Sequence, residues 1–364
     1  FISQNYGAGK VDRIKKAIKK YFFPEMIQDS FDFTHPFGIP DLPKLYVRSF
    51  GERNPDKIFY VIWRDRLGSG FFSNFTQVIS HMMLAERHGW IPVVDYLNFR
   101  TIYNEPEPVN GTCNAWEYYF RQISPYTLDE VYSSRNVLFA EGNTYPSLFC
   151  RNNREYREFL DQKIQLQDWI ADEFLKYKKL LDASFVLGIH FRGKEMNTTP
   201  GHPFAPTVRQ MLTQTDFILE QYPVDKIFFS SEEKDYLDLF VKRYGDRLIY
   251  LSAFRVSKIN AYNMNPRPHH RYLLGKEALL DSLMLSSCDI LLCGRSGITY
   301  HAVRSSSRLK KVYTIHNGFN SKNRLLAKYL YRIRKYLPSE FGGLKNAITV
   351  SGNSELENTL YESE

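Results

Sequence analysis

Five short apolar runs in the second half of the chain constrain its fold more than any other feature. None of them shows the alternation of a half-exposed strand, and a helical pattern separates each run from the next. Strands of this kind are covered on both faces, which is typical of a parallel sheet between layers of helices. The sequence therefore predicts an α/β fold whose C-terminal half holds a doubly wound parallel sheet of about five strands. The runs are FVLGIH (185–190), KIFFSS (226–231), RLIYLS (247–252), DILLCG (289–294) and KVYTIH (311–316).

The first half of the chain has fewer regular patterns. Residues 58–63 and 90–95 are predicted strands, and residues 72–88 between them have helical periodicity. A further helix is expected near 114–121, and residues 152–181 are predicted to form one long amphipathic helix. No membrane-spanning helix is expected, because the chain contains no run of about 18 apolar residues.

Polar residues follow the predicted strands at their carboxyl ends, where ligands bind in open α/β sheets. Alternate residues of a strand share a face, so His190 and Arg192 would point to one side. Arg192 would meet an anion there, because a guanidinium can bind two phosphate oxygens at once. A structural Arg paired with an acidic residue is the alternative. The residues at these strand ends are His190, Arg192, Gly193, Ser231, Glu232, Arg295, Ser296 and Gly297.

Two nucleotide-binding patterns are present only in part. Residues 188–194 (GIHFRGK) match the spacing of a phosphate loop, but the next residue is Glu195, where magnesium needs Ser or Thr. We reject this interpretation. Gly68 and Gly70 lie between a predicted strand and a helix, and Asp95 ends the next strand, which is the layout of a dinucleotide site. The third glycine is missing, so an NAD-dependent oxidoreductase stays as an alternative only.

Four blocks between residues 58 and 316 resemble, in order and spacing, one group of fucosyltransferases. The group includes the bacterial nodulation enzymes and the eukaryotic core α-1,6-fucosyltransferase, with the protein O-fucosyltransferases as more distant relatives. This chain differs in having Gly193 for a second Arg and Arg295-Ser296-Gly297 for a final Ser-Ser. The blocks are RLGSGFFSNF (66–75), the His190-x-Arg192 motif, FFSSEE (228–233) and LLDSLMLSSCDILLCGRSG (279–297).

The resemblance implies a GT-B-like fold of two Rossmann-like halves and an inverting transfer that uses no metal. It also implies that Asp281 accepts hydrogen bonds from guanine, and that Ser296 and Gly297 bind phosphate at a helix N-terminus. The sequence agrees on the metal, because it has no Asp-x-Asp pair to hold one against a diphosphate. Arg192 would then neutralise the leaving diphosphate. Gly68 and Gly70 are assigned to the donor site as well.

An inverting transfer needs a base that takes the proton of the acceptor hydroxyl. We place it in the loop after the His190-x-Arg192 strand. Glu195 is the first choice, because similar enzymes carry an acid three residues past the Arg. His202 is the second choice, since its ordinary pKa of about 6.5 suits a base at neutral pH. The alternative is that Glu195 only pairs with Lys194 or Arg192 and holds the loop.

The leading prediction is an inverting, metal-independent glycosyltransferase that transfers fucose from GDP-fucose to a saccharide in glycan or cell-surface polysaccharide synthesis. It needs no cofactor beside the nucleotide-sugar co-substrate. Another nucleotide sugar on the same fold, the NAD-dependent oxidoreductase and a non-catalytic glycan-binding module are the alternatives. The predicted catalytic residues are Arg192, Glu195 and His202. The predicted donor-binding residues are His190, Arg192, Gly193, Ser231, Glu232, Asp281, Arg295, Ser296, Gly297, Gly68 and Gly70.

We predict four segments. Residues 1–55 form an irregular segment with a basic helix, and 56–180 an acceptor-side α/β domain. Residues 181–320 form the Rossmann-like donor domain, and 321–364 a C-terminal helical segment.

The formal net charge of +8 is concentrated in two stretches, KVDRIKKAIKK (10–20) and LLAKYLYRIRKYL (325–337). Both have apolar residues at helical spacing with Lys or Arg between them. Such a helix either packs on its own domain or lies on an anionic membrane, and both remain open. No nucleic-acid-binding motif is present. The four scattered cysteines form no CxxC pair, which argues against zinc and favours a reducing compartment. The predicted location is cytoplasmic, with the inner membrane surface as an additional option.

Overall fold

Two groups of elements, each with its own sheet, make up the part of the chain that the computed structural model describes. That part is residues 45–64, 68–140, 146, 152–256, 261–345 and 350–353. The chain divides into a first unit (Phe1–Asp65, Gln77–Asp95 and Ser124–Leu148) and a second unit (Arg66–Thr76, Tyr96–Ile123 and Phe149–Glu364). The segments of the two units alternate along the chain, whereas the predicted domains follow one another. The domain boundaries 56–180 and 181–320 stay a prediction.

The first unit contains a mixed sheet of four strands in the order β1-β4-β2-β3. β2 pairs in parallel with β3 and β4, and β1 is antiparallel to β4. The strands predicted at 58–63 and 90–95 are confirmed as β2 and β3, and the helix predicted at 72–88 is confirmed as α1. The elements are β1 (Leu45–Arg48), β2 (Phe59–Ile62), α1 (Phe71–Arg87), β3 (Ile91–Val94), α2 (Leu128–Val131) and β4 (Val137–Ala140), and the start of α1 up to Thr76 belongs to the second unit.

The second unit contains the sheet that the five apolar runs predict. Its order is β10-β9-β8-β5-β6-β7, with five parallel strands and an antiparallel β10 at one edge. The prediction of a parallel α/β sheet is therefore confirmed. The strands are β5 (Val186–His190), β6 (Lys226–Ser230), β7 (Leu248–Ile249), β8 (Ile290–Cys293), β9 (Lys311–Ile315) and β10 (Val350–Asn353).

Helices lie between successive parallel strands of this sheet, as the helical patterns between the apolar runs predict. Thr207 caps α5 in a reciprocal capping box with Gln210, and Ser296 caps α8 in the same way with Thr299. These side chains satisfy first-turn backbone amides that have no partner inside the helix. The helices of the second unit are α3 (Asn153–Lys163), α4 (Asp168–Lys178), α5 (Val208–Gln221), α6 (Lys234–Tyr244), α7 (His270–Ser286), α8 (Gly297–Ser305) and α9 (Arg324–Tyr336).

The two faces of the central strand β5 carry different side chains. Leu187, Ile189 and Phe191 belong to the apolar cluster that packs with α5 and α6. Gly188 points to the opposite face, where Cys288 and Leu285 lie against it. Burial on both faces explains why the sequence of this strand shows no alternation.

The single helix predicted at 152–181 is wrong, and so is the helix near 114–121. The backbone of residues 164–167 pairs with that of residues 119–121, which breaks the first helix into α3 and α4. Arg121 N–H donates to Gln165 O at 2.8 Å, and Gln167 N–H donates to Tyr119 O at 2.9 Å. Tertiary hydrogen bonds thus override the local helical pattern in both segments. The basic helix predicted at 10–20 lies outside the described residues.

We expect Gly188→Ala to lower the free energy of unfolding by about 1–3 kcal/mol, because the interior cannot accept the extra methyl group without strain. A Cβ at Gly188 would lie 2.9 Å from Cys288 Sγ and 3.2 Å from Leu285 Cδ2. Urea titration measures the change.

Two variants control this experiment. Gly68→Ala should leave the free energy of unfolding nearly unchanged, because a Cβ there would meet nothing within 4 Å. Gly188→Ala should cost less in a Cys288→Ala background, since the smaller side chain leaves room. Equal losses in both backgrounds would contradict the crowding that the structure shows.

Candidate active site

The carboxyl ends of β5, β6 and β8 meet at one edge of the sheet in the second unit. His190 ends β5 and is in register with Ser230, which ends β6, and with Cys293, which ends β8. Parallel pairing therefore brings together three loops that the sequence separates by about 40 to 60 residues or more, as open α/β sheets do at their ligand sites. All residues discussed below as the candidate site belong to this unit.

A buried chain of hydrogen bonds runs across these strand ends. Ser230 donates its hydroxyl proton to Asp281 Oδ2 at 2.8 Å, and His190 Nδ1 lies 3.1 Å from Ser230 Oγ. When Asp281 is ionised it accepts the Ser230 proton, and His190 Nδ1 then donates its proton to Ser230 Oγ. Burial, and secondarily the charge of Arg192, lowers the pKa of His190 to about 3, so its ring is neutral.

Asp281 on α7 is the most unusual acid of this edge. Its side chain is buried, and within the described part of the chain its Oδ1 has no hydrogen-bond partner. Burial raises the pKa of Asp281 to about 7, although the Ser230 hydroxyl and the Arg255 charge act in the opposite direction. Such a carboxyl is partly ionised at neutral pH and has an acceptor oxygen that is ready to receive an N–H donor.

Arg255 is a site residue that the sequence analysis missed. Its Nε donates to Ser231 O at 3.0 Å, while its buried Nη2 has no partner among the described residues. Its charge favours the ionised form of Asp281. Arg255 lies in an irregular segment after β7 and belongs to no motif, so only the folded chain reveals it.

Arg192 connects the end of β5 to the loop after β8. Its Nη1 donates to the backbone oxygen of Arg295 at 2.8 Å. One partner of the guanidinium is thus a carbonyl, and the residue is half-buried. The cation lies close enough to His190 and His202 to lower the pKa of both. The Arg295 side chain instead lies over the Phe319 ring, 5.2 Å from its centroid.

Gly193 makes a close contact with the exposed Glu232 side chain. Its N–H donates to Glu232 Oε1 at 3.0 Å, and a Cβ would lie 2.6 Å from that oxygen and 2.7 Å from Glu232 Cγ. Lys194 N–H donates to Glu233 Oε1 at 2.8 Å, and Glu233 N–H donates to Ser231 Oγ at 3.2 Å. Glu232 and Glu233 therefore hold the loops after β5 and β6 together, and the contact of Ser231 and Glu232 with a donor stays a prediction.

The start of α8 lies beside the start of α1. Ser296 Oγ accepts the Thr299 N–H at 3.1 Å as the cap of α8. A Cβ at Gly297 would lie 3.0 Å from Phe72 Cβ, so the first turn of α1 packs on it. Gly68 and Gly70 precede this turn, and neither has a neighbour within 4 Å of the position of a Cβ. The fold itself does not need glycine at those two positions, which leaves the backbone open to a ligand.

The loop after β5 carries the two predicted bases. Glu195 lies in the short 3-10 turn Lys194–Thr198. His202 is exposed to solvent, yet partial shielding from water and the Arg192 charge lower its pKa. Its ring is therefore neutral at pH 7 and can accept a proton. The Asn320 amide anchors the loop by donating to Asn197 O at 3.1 Å and Thr199 O at 3.2 Å.

The acid required by the dinucleotide interpretation is not available to a ligand. Asp95 lies in the first unit, is fully buried, and accepts the Tyr132 hydroxyl at 2.6 Å. A ribose could not reach it without unfolding this contact. The interpretation as an NAD-dependent oxidoreductase therefore has no available acid to bind the ribose.

The described residues include no group of three or more His, Cys, Asp or Glu side chains placed to hold a metal ion. No helix in that part of the chain is both long and apolar enough to cross a bilayer. Whether a metal takes part in the reaction and where the protein resides remain predictions.

Comparison with solved structures finds fucosyltransferases. The fucosyltransferase NodZ from Bradyrhizobium is 15% identical with a TM-score of 0.45, and the match covers 71% of this chain and 95% of NodZ. A mutant of Arabidopsis thaliana FUT1 in complex with GDP is 12% identical with a TM-score of 0.43, covering 84% and 74%. POFUT1 in complex with GDP is 11% identical with a TM-score of 0.31, covering 71% and 73%. No family model and no curated protein matches the chain.

These solved proteins belong to the same fucosyltransferases that the four sequence blocks resemble. At such identities and TM-scores the likeness assigns neither an activity nor a substrate to this chain. Both have to be argued from the side chains at the edge of the sheet.

We expect Asp281→Asn to stabilise the free protein increasingly as the pH rises. The pKa of an unfolded aspartate is about 3.9, and burial raises that of Asp281 to about 7. The stability contributed by the protonated carboxyl is fully present below about pH 4 and is lost as the pH rises through about 7. The free energy of unfolding of the variant, relative to the wild type, should grow by about 2–3 kcal/mol from about pH 5 to about pH 8 in urea titrations.

Asp289→Asn is the control of opposite sign. Burial alone would raise the pKa of Asp289, but hydrogen bonds from Arg308 and from the Val186 amide outweigh it and lower the pKa. The free energy of unfolding of Asp289→Asn should be lower than that of the wild type at about pH 5 and at about pH 8. The difference between the two proteins should not grow with pH. A pH-independent effect of Asp281→Asn would show that Asp281 does not titrate in this range.

Proposed function

We propose that this protein is an inverting glycosyltransferase that takes fucose from GDP-fucose and transfers it to a saccharide hydroxyl without a metal. The observation that carries the proposal is Asp281, whose buried Oδ1 has no partner among the described residues and lies at the carboxyl edge of a parallel sheet. The choice of fucose rests on the resemblance of the four sequence blocks. The acceptor is a saccharide, and the reaction serves glycan or cell-surface polysaccharide synthesis in the cytoplasm.

The chemistry of Asp281 favours guanine among the nucleotide bases. Guanine presents a ring N–H and an amino group side by side, and a carboxylate can accept from both. Among the described residues, Oδ1 has no hydrogen-bond partner and Oδ2 accepts the Ser230 hydroxyl. Adenine would turn an unprotonated ring nitrogen toward the carboxylate beside its amino group, which leaves one acceptor oxygen without a proton. Uracil offers a single N–H.

The diphosphate of the donor has two groups to bind to. Arg192 offers a guanidinium fork at the end of β5, and the first-turn amides of α8 after Ser296 offer a helix N-terminus. Both favour the charge that develops on the leaving diphosphate as the bond to the sugar breaks. The Arg192 side chain is already oriented by the carbonyl of Arg295.

The transfer itself forms one bond and breaks one. The acceptor oxygen bonds to the anomeric carbon, the bond from that carbon to the phosphate oxygen breaks, and GDP leaves with the electron pair. The hydroxyl proton goes to the base, for which Glu195 is the first choice and His202 the second. The lowered pKa of His202 supports its candidacy, because a neutral imidazole can take the proton.

We expect calorimetry in EDTA to detect binding of GDP and GDP-fucose and at most weak binding of UDP, CMP and NAD. The affinity for GDP-fucose should fall about tenfold per pH unit below about pH 7, because Asp281 must be ionised to accept two N–H donors. The esterified phosphates of a nucleotide sugar do not titrate in this range, so the slope reports the protein. Preferred binding of NAD, or binding that requires magnesium, would overturn the proposal.

Two variants assign the slope to Asp281. Asp281→Asn should bind weakly at every pH and lose the slope. Arg255→Gln should move the midpoint of the slope to higher pH, because the Arg255 charge lowers the pKa of Asp281. A slope that persists in Asp281→Asn would assign the titration to another group.

We expect substitutions of the candidate catalytic residues to affect turnover and GDP binding to different extents. Arg192→Ala should reduce turnover by about 10²–10³, because it loses a charge-assisted donor to the diphosphate. Arg192→Lys should recover only part of it, since a point charge does not replace the fork. Glu195→Gln should reduce transfer at least about tenfold while GDP affinity stays nearly unchanged. GDP release in the presence of saccharide acceptors measures turnover.

The outcomes distinguish the alternatives. Equal loss of GDP binding and turnover in Glu195→Gln would assign Glu195 to the donor-site scaffold, and His202→Ala then tests the second choice. GDP binding without any release of GDP from GDP-fucose would favour the non-catalytic glycan-binding module.

A further inference from the structure

Helix α9 presents an apolar surface to solvent. Five of its large apolar side chains are between 56% and 72% exposed, and Phe341 just after the helix is 76% exposed. An apolar stripe of this size on a surface helix marks an interaction site. The five residues, which recur at helical spacing, are Leu325, Leu326, Tyr329, Ile333 and Tyr336. We call them the outer stripe.

The outer stripe is not the packing face of the helix. α9 is held to its own unit by its opposite side, where Ala327 is buried and the Tyr331 ring lies 5.7 Å from that of Phe204. Arg334 donates from that side to Asn317 O at 3.0 Å and to Gly342 O at 2.9 Å. The rotation of the helix is therefore set by specific contacts that leave the outer stripe uncovered by the described residues.

A basic strip runs beside the outer stripe. Lys328, Arg332 and Lys335 are all exposed and recur at helical spacing. The sequence around the strip is strongly basic, because residues 290–339 contain eleven Lys and Arg and no Asp or Glu. The helix thus combines an apolar sector, a basic sector and a packed sector.

We propose that α9 docks this protein on an anionic lipid surface, with the outer stripe in the boundary between headgroups and acyl chains. A helix that lies in the plane of the bilayer needs an exposed apolar sector and flanking Lys or Arg to meet the anionic headgroups. The charge of the strip complements such a surface. This inference is independent of the proposed function, since lipid binding needs no donor site.

The docked helix would place the candidate active site close to the bilayer. Asn320, just before α9, donates to Asn197 O and Thr199 O in the loop after β5 and also to Ala327 O inside the helix. The loop that carries the predicted bases is therefore hydrogen-bonded to the base of the docking helix. An acceptor saccharide attached to a lipid would be presented at this loop.

Flotation of the full chain with vesicles tests the proposal. We expect binding to phosphatidylcholine vesicles that contain phosphatidylglycerol, weak binding to phosphatidylcholine alone, and release by high salt. Removing three basic residues should weaken vesicle binding roughly 100-fold, and removing three apolar ones should abolish it. The charge variant is Lys328→Ser with Arg332→Ser and Lys335→Ser. The apolar variant is Leu326→Ser with Tyr329→Ser and Ile333→Ser.

A matched control removes the same charge elsewhere. Lys176, Lys178 and Lys179 are exposed at the end of α4, near the exposed Leu175 and Leu180. Their triple change to Ser should leave vesicle binding unchanged. Thermal unfolding and GDP binding of all variants should match the wild type, which shows that they fold.

Three results would overturn the proposal. The first is no flotation with anionic vesicles at low salt. The second is equal flotation of the wild type and both α9 variants. The third is a wild-type dimer in light scattering that the apolar variant converts to a monomer, without vesicle binding, which would assign the outer stripe to a second copy of the chain.

Discussion

The parallel pairing of β5 with β6 and β8 is the constraint on which the candidate site depends. It sets His190, Ser230 and Cys293 at one level, so that the loops after the three strands meet. The close approach of α7 to the central strand follows from Gly188, which leaves room for Cys288 and Leu285. That approach brings Asp281 within hydrogen-bond distance of Ser230. A shift in register would separate these groups and remove the buried hydrogen-bond chain.

The buried chain also illustrates a conflict between stability and binding. An aspartate that is buried beside a serine, with one oxygen that has no partner among the described residues, destabilises the folded state whenever it is ionised. A ligand that donates hydrogen bonds to the Asp281 carboxylate would remove this cost on binding. Arg255 moderates the cost by favouring ionisation without neutralising the acid through a direct salt bridge. Perturbed acids of this kind cluster at functional sites.

The loops around the site are held by side chains rather than by regular structure. Glu232 and Glu233 connect the loop after β5 to the loop after β6, and the Asn320 amide connects the first of these loops to α9. A single asparagine thereby joins the region of the predicted base to the helix that we infer to meet lipid. The outer stripe and the candidate active site are separate surfaces supported by the same short segment.

The strands of the parallel sheet and the helices between them were determined by sequence, because fully buried strands need apolar runs and Thr207 and Ser296 cap helices at their starts. The edge that carries His190 and Arg192 was predictable for the same reason, since parallel strands collect their carboxyl ends. Asp281, on α7, was assigned only through the resemblance of the sequence blocks. Tertiary structure alone determined where backbone hydrogen bonds between distant segments replace those of a helix. Residues 164–167 pair with 119–121 and break a helix that the local pattern favours. Tertiary structure also decided the burial of Asp95, the nearness of Arg255 to Asp281 and the outward rotation of α9. Each of these depends on contacts between distant segments, which no local spacing of residues records.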